Sequence, residues 1–229
     1  MESLDEIMQR ATLAIENMDY LSCEADCLMA LGAARAADDW AYYGRVLMPL
    51  QEARRQRRMI AAEGTIRLGT SDLDGPITAL SDRIASGCIV VTHPFTASDV
   101  LQLQQKVRAD RRHIEVLYAD NAAAANRWTL RGFAGPDVHC LIDAPAKAWI
   151  DRWFSPTDIE VAPPPRPSGW FIDATEAIGD LAVSQVDSPL GTPQRVAALE
   201  SRLAVMTDHE ILHQRLWEAA RALCTAKVG

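Results

Sequence analysis

Several features that would assign a chain to a known class are missing here. No apolar run approaches the ~18 residues of a bilayer-spanning helix. No G-x-G-x-x-G and no P-loop occurs, so nucleotide binding has no motif to rest on. The five cysteines (Cys23, Cys27, Cys88, Cys140, Cys224) are odd in number and form no C-x-x-C pair, which fits a reducing compartment. Basic residues are scarce against acids, 23 to 31, for a formal charge of −8. Nucleic-acid binding would therefore need a local basic patch. The N-terminus places Glu2, Asp5 and Glu6 where a signal peptide would carry basic residues. Together these predict a cytoplasmic chain with no membrane contact.

What is present is ordinary globular material: 229 residues, 48% apolar and 24% charged, enough for one large domain or two small ones. Leu4, Ile7, Met8, Ala11 and Ile15 recur at helical spacing, as do Cys23, Cys27, Ala30, Leu31 and Ala34, then Trp40, Tyr43, Val46, Leu47 and Leu50. Pro49 should kink or split the third helix. The middle reads as strand (65–69), helix from Asp74-Gly75-Pro76 to Gly87, strand (88–92), helix from Thr96 or Ser98, and strand (113–118). That order predicts a small parallel sheet, which 128–132 and 138–142 extend. Residues 161–168 (VAPPPRPS) read as a stiff linker, and three helical runs follow. The expected fold is mixed α/β and mostly helical. Its segments are a helical hairpin (1–62), an α/β unit (63–160), the proline-rich linker (161–168) and C-terminal helices (169–229) able to pack with 1–62 as one body.

Met18-Asp19-Tyr20-x-x-Cys23-x-x-x-Cys27-x-x-Ala30-Leu31 resembles the G-D-Y-x-x-A-x-x-x-[FY]-x-x-A-L core of a tetratricopeptide repeat. The resemblance covers half of one repeat within residues 5–60, and no second copy follows 34 residues on. It implies a closely packed helical hairpin and a protein-interaction surface. The C-terminal block has the layout Ala177-Ile178-Gly179-Asp180, Arg195-Val196, Leu199-Glu200, Asp208-His209-Glu210-x-Leu212-His213-Gln214. It is similar to segments of uncharacterised bacterial proteins, and that similarity implies no function.

Two groups of residues could carry chemistry. His209-Glu210-Ile211-Leu212-His213 is an H-E-x-x-H. On one helix the two imidazoles share a face and can ligate zinc, with Glu210 as general base. Against this, Thr207 lies three residues before Glu210, as in a capping box, and both histidines fall on the apolar face with Leu212 and Leu216. Only 16 residues follow His213, so a third ligand would have to come from upstream. The second group lies at the strand ends, where parallel sheets bind ligands. Asp72, His93 and Asp120 sit there, and helix N-termini near Gly75 and Ser98 would suit a small anion.

Other features have simpler readings. Arg54, Arg55, Arg57 and Arg58 read as a solvated helix end, and Cys23 with Cys27 as core. Trp149, Trp153 and Phe154 read as docking the linker beside Trp170. The function expected is a non-catalytic interaction or regulatory module that needs no cofactor and binds another protein. The alternatives are a zinc-dependent hydrolase at 209–213 and a small-anion or metabolite binder at the strand ends.

Overall fold

Ser3 opens the first helix. Its hydroxyl accepts from the Glu6 N–H while the Glu6 carboxylate accepts from the Ser3 N–H, so two orphaned amides are satisfied reciprocally. The computed structural model describes residues 2–124, 126–161 and 166–226. In it α1 spans Leu4–Glu16, α2 Tyr20–Ala36 and α3 Trp40–Ala62. Both α1 and α2 stop in a left-handed turn that returns the following amides to the last carbonyls. Asp19 N–H reaches Ala14 O at 2.8 Å and Asp39 N–H reaches Ala34 O at 2.9 Å. The turn needs positive φ, and Met18 (57°) and Asp38 (51°) adopt it without being glycine. Met18 thus stands where the G-D-Y pattern has its glycine, and Asp19 caps α2 by accepting from the Ser22 N–H. Cys23, Cys27 and Ala30 of that pattern pack with Ile7, Ala11, Val46, Leu50 and Ala53. The expected split at Pro49 does not occur. One helix runs through it, held on both sides by buried Val46, Leu47, Leu50 and Ala53.

Three strands, β1 (Thr65–Leu68), β2 (Ser86–Val91) and β3 (His113–Ala124), lie parallel and adjacent. The helix expected after Asp74-Gly75-Pro76 is only a 3-10 stretch, Ile77–Arg83, with no side-chain cap. Gly87 does not end it. Gly87 lies in β2, where a Cβ would run into the Thr65 carbonyl of β1, so close strand approach is what requires glycine there. Helix α4 (Ala97–Ala109) starts with a Thr96–Asp99 capping box. Then β4 (Arg127–Arg131) and β5 (His139–Asp143) extend the sheet antiparallel. After a 3-10 turn (Lys147–Trp149), β6 (Arg152–Phe154) pairs antiparallel with β1 and α5 (Pro156–Val161) follows. The sheet order is β5-β4-β3-β2-β1-β6. Ile89, Val91, Ile114 and Val116 of one face pack against Val100, Leu103 and Val107 of α4 and Ile77 and Leu80 of the 3-10 stretch.

Residues 162–165 of the expected linker lie outside the described residues. Helix α6 (Pro167–Ser184) begins inside the expected linker span, with proline at its first position. Trp170 does not meet Trp149 or Trp153 in an aromatic pair. It stacks edge-on against Trp128, ring centroids 5.6 Å apart, and donates from Nε1 to Asp143 O at 2.9 Å. Helices α7 (Pro193–Leu203) and α8 (Glu210–Ala226) complete the chain.

The fold is mixed α/β, 58% helical, with a six-stranded sheet and helices at both ends. The chain divides into two compact units: residues 1–57 with 183–229, and residues 58–182. The first is helical and discontinuous in sequence; the second holds the sheet. Among the described residues no helix is long and apolar enough to cross a membrane.

Candidate functional site in the helical unit

The inward stripe of α3 begins with Val46, Leu47, Leu50 and Ala53 and continues, at the same spacing, with Arg54 and Arg57. Both guanidinium groups are therefore carried into the helical unit. They meet Glu24 of α2, itself buried beside Cys23. Arg54 Nε donates to Glu24 Oε1 at 2.8 Å, and Arg57 pairs with Glu24 Oε2. Burying two cations on one carboxylate is stable only with further hydrogen bonds. Arg54 finds one in the Thr207 carbonyl, at 2.9 Å. The rest of the arginine run is also paired, Arg55 with Glu52 and Arg58 with Glu176. The expected solvated helix end is thus in part an ion-pair cluster, because the helical repeat of α3 turns Arg54 and Arg57 toward the core.

The H-E-x-x-H adjoins this cluster. Helix α8 starts at Glu210, so His209 directly precedes it, and its Nδ1 accepts from the Leu212 N–H at 3.4 Å. That is the bond a capping side chain makes. The expected Thr207–Glu210 capping box is replaced by this His209 cap. Glu210 faces solvent and accepts from Gln214 Nε2 at 2.9 Å. His213 is buried, with Nε2 3.0 Å from Thr207 O and 3.5 Å from Arg54 Nη1. One carbonyl receiving both Arg54 Nη1–H and His213 Nε2–H accounts for all three distances and assigns His213 as the neutral Nε2–H tautomer. Burial, reinforced by the Arg54 charge, pushes the His213 pKa down to about 4.

His209 Nδ1 and His213 Nε2 are engaged with backbone groups, and Glu210 is exposed. Among the described residues no three His, Cys, Asp or Glu side chains cluster in a metal-holding arrangement. What the arrangement does instead is fasten the start of α8 to α3 and α2.

Beside His213 a cleft of about 320 Å³ opens between α3 and α8, lined by Leu47, Met48 and Gln51 and by His213, Gln214, Trp217 and Glu218. Trp217 lies against α3 at Gly44, where a Cβ would sit in ordinary contact 3.7 Å from the indole. Arg221 covers part of the ring at 5.3 Å.

The strand-end residues are placed at the carboxyl edge of the sheet but are engaged separately. Asp72 pairs with Arg67, which is 2% exposed and lies 5.1 Å from the Trp153 ring. Asp120 lies 3.7 Å from Arg131, and His93 is exposed in the loop before α4. The amides at the start of α4 are answered by Thr96 and Asp99, an acid where an anion would sit. The polar groups that do line a cavity at this edge are Asn121, Asn126 and Lys147. The sequence signal for them was weak, since Asn and Lys flank loops everywhere. The signal for Arg54, Arg57 and Glu24 was present in the helical spacing but overridden by their charge. Compared with protein-family models, with curated proteins and with solved structures, the chain matches none.

Proposed function

We propose that this chain is a non-catalytic interaction module of the cytoplasm, and that another protein docks on the α3–α8 cleft. The observation that carries the reading is the mouth of that cleft, where Trp217 is 37% and Met48 70% exposed beside buried Leu47. Trp is enriched among the side chains that carry binding energy at interfaces, and Met is an adaptable contact at such surfaces. Glu218, the charged residue among those lining the cleft, is already paired with Arg215 at 2.8 Å, and Arg221 lies over the Trp217 ring, so the partner the cleft suits presents an uncharged apolar side chain. The non-catalytic part rests on His209 and His213, whose bonds to backbone fasten helices, and on Glu210, which is exposed. The compartment rests on five cysteines that are all free.

A photoreactive phenylalanine analogue placed at position 48 tests this in cells expressing the chain. The expected result is a discrete protein adduct that disappears with Trp217→Glu and is not formed from the same analogue at exposed Leu141 of the other unit. The same adducts from both positions, or adducts indifferent to Trp217→Glu, would remove the reading.

A further inference from the structure

The sheet-bearing unit holds a second site, independent of the cleft. Strand β5 runs in the same direction as β3, because each is antiparallel to β4. Its end at Asp143 therefore lies on the edge where β1, β2 and β3 also end. From there the chain must return along that edge to reach β1, at the far side of β2 and β3. Residues 144–151 make this crossing as a strap tied down at both ends. Ala144 N–H donates to Asn126 O at 3.0 Å. At the other end Ile150 bridges to Leu68, Asp151 N–H donates to Leu68 O at 2.7 Å, and the Asp151 carboxylate accepts from Ser71 N–H and Oγ–H at 3.0 and 2.7 Å.

Under the strap is a cavity of about 480 Å³, lined by Trp128, Pro145, Ile150, Asn121, Asn126 and Lys147, with Ala144. It lies at the carboxyl end of β3 beside β4, on the edge of the sheet where α/β proteins hold ligands. Trp128 is nearly inaccessible and forms an aromatic wall. The side chains of Asn121, Asn126 and Lys147 have no hydrogen-bond or ion-pair partner among the described residues. Among the described residues Lys147 is the only charged side chain in the lining. The nearby acids are engaged elsewhere: Asp143 with Arg127, Asp151 with Ser71, and Asp120 beside Arg131.

We propose that this cavity binds a small organic carboxylate. The Lys147 ammonium pairs with the carboxylate, the Asn121 and Asn126 amides donate to it, and Trp128 with Ile150 holds the apolar body. An ammonium suits this role as a mobile point charge at the rim. The amides supply the directed donors.

The test is a titration of the full chain with sodium phenylacetate, with phenylacetamide and phenethylamine as shape-matched controls. The side-chain amides of Asn121 and Asn126 and the Trp128 indole N–H report by nuclear magnetic resonance. Saturable shifts at these groups are expected with phenylacetate. Binding should be about tenfold weaker for the amide and for Lys147→Ala, the loss expected for one charge-assisted hydrogen bond, while Lys147→Arg keeps most of the affinity. Lys147 is exposed, so its variants should leave the rest of the spectrum unchanged. The proposal is overturned by no saturable shift up to about 50 mM probe, a weak limit for so small a ligand. Equal binding of the amine, shifts confined to other residues, or binding unchanged by Lys147→Ala would overturn it too.

Discussion

Acid should loosen the start of α8 through a single imidazole. His213 is neutral in the folded chain, with Nε2–H on the Thr207 carbonyl and the Arg54 guanidinium 3.5 Å away. Its pKa is pushed down to about 4 by burial and then by Arg54, whereas an unfolded histidine titrates near pH 6.5. Between these values the unfolded chain binds a proton that the folded chain refuses. The His213 contribution is thus complete above about pH 6.5 and is lost as pH falls through about 4. The full span is roughly 3 kcal/mol, of which about 2.5 kcal/mol is gone by about pH 4.5. The perturbation that isolates it is His213→Gln, whose amide can still donate to Thr207 O but cannot titrate. Hydrogen exchange of the α8 amides reads the helical unit alone. Over about pH 7 to 4.5 the wild-type protection should fall more steeply than that of the variant, by about the amount above. Parallel loss in the two proteins, or an His213 resonance titrating near pH 6.5, would refute the assignment of a buried neutral imidazole.

Two further substitutions probe the same unit. Glu24→Gln leaves buried Arg54 and Arg57 without their shared carboxylate. It should cost about 3–5 kcal/mol in urea unfolding, and a cost under about 1 kcal/mol, the range of exposed pairs, would mean that water reaches the cluster. Met18→Gly should stabilise by about 0.5–1 kcal/mol, because relief of the left-handed strain exceeds the added freedom of the unfolded chain. Met18 is 71% exposed, so little burial is lost, and a lower unfolding midpoint would contradict the turn geometry.

The helices and strands were legible where one face is apolar and the other polar. Leu4, Ile7 and Ala11 marked α1, whereas β2, buried on both faces, was marked by its continuous β-branched stretch at 89–91. Legibility failed where the determining contact is remote in sequence. Arg57 lies on the core stripe of α3, yet its carboxylate partner is Glu24, on a different helix. Nothing near Arg57 tells that the charge is answered. Strand β6, Arg152–Phe154, is too short to show alternation and exists because β1 offers it an edge. His209 was placed correctly on the apolar side but read as a first-turn residue behind a Thr207 cap. Two residues of boundary error separate a ligand pair from a cap. At the sheet edge the location of a cavity was anticipated, but Asp72, His93 and Asp120 do not line it, because the strap that shapes it has no periodicity to read.

The helical unit is built from both ends of the chain, and that has a consequence for the order of assembly. During synthesis α1, α2 and most of α3 emerge before the sheet unit, yet Arg54 waits for Thr207 and Tyr43 waits for Glu200. The sheet unit, residues 58–182, is contiguous and has all its strands once residue 154 has appeared. The sheet unit can therefore mature while Arg54, already paired with Glu24, still lacks its Thr207 carbonyl, and the helices made after that unit close the ones made before it.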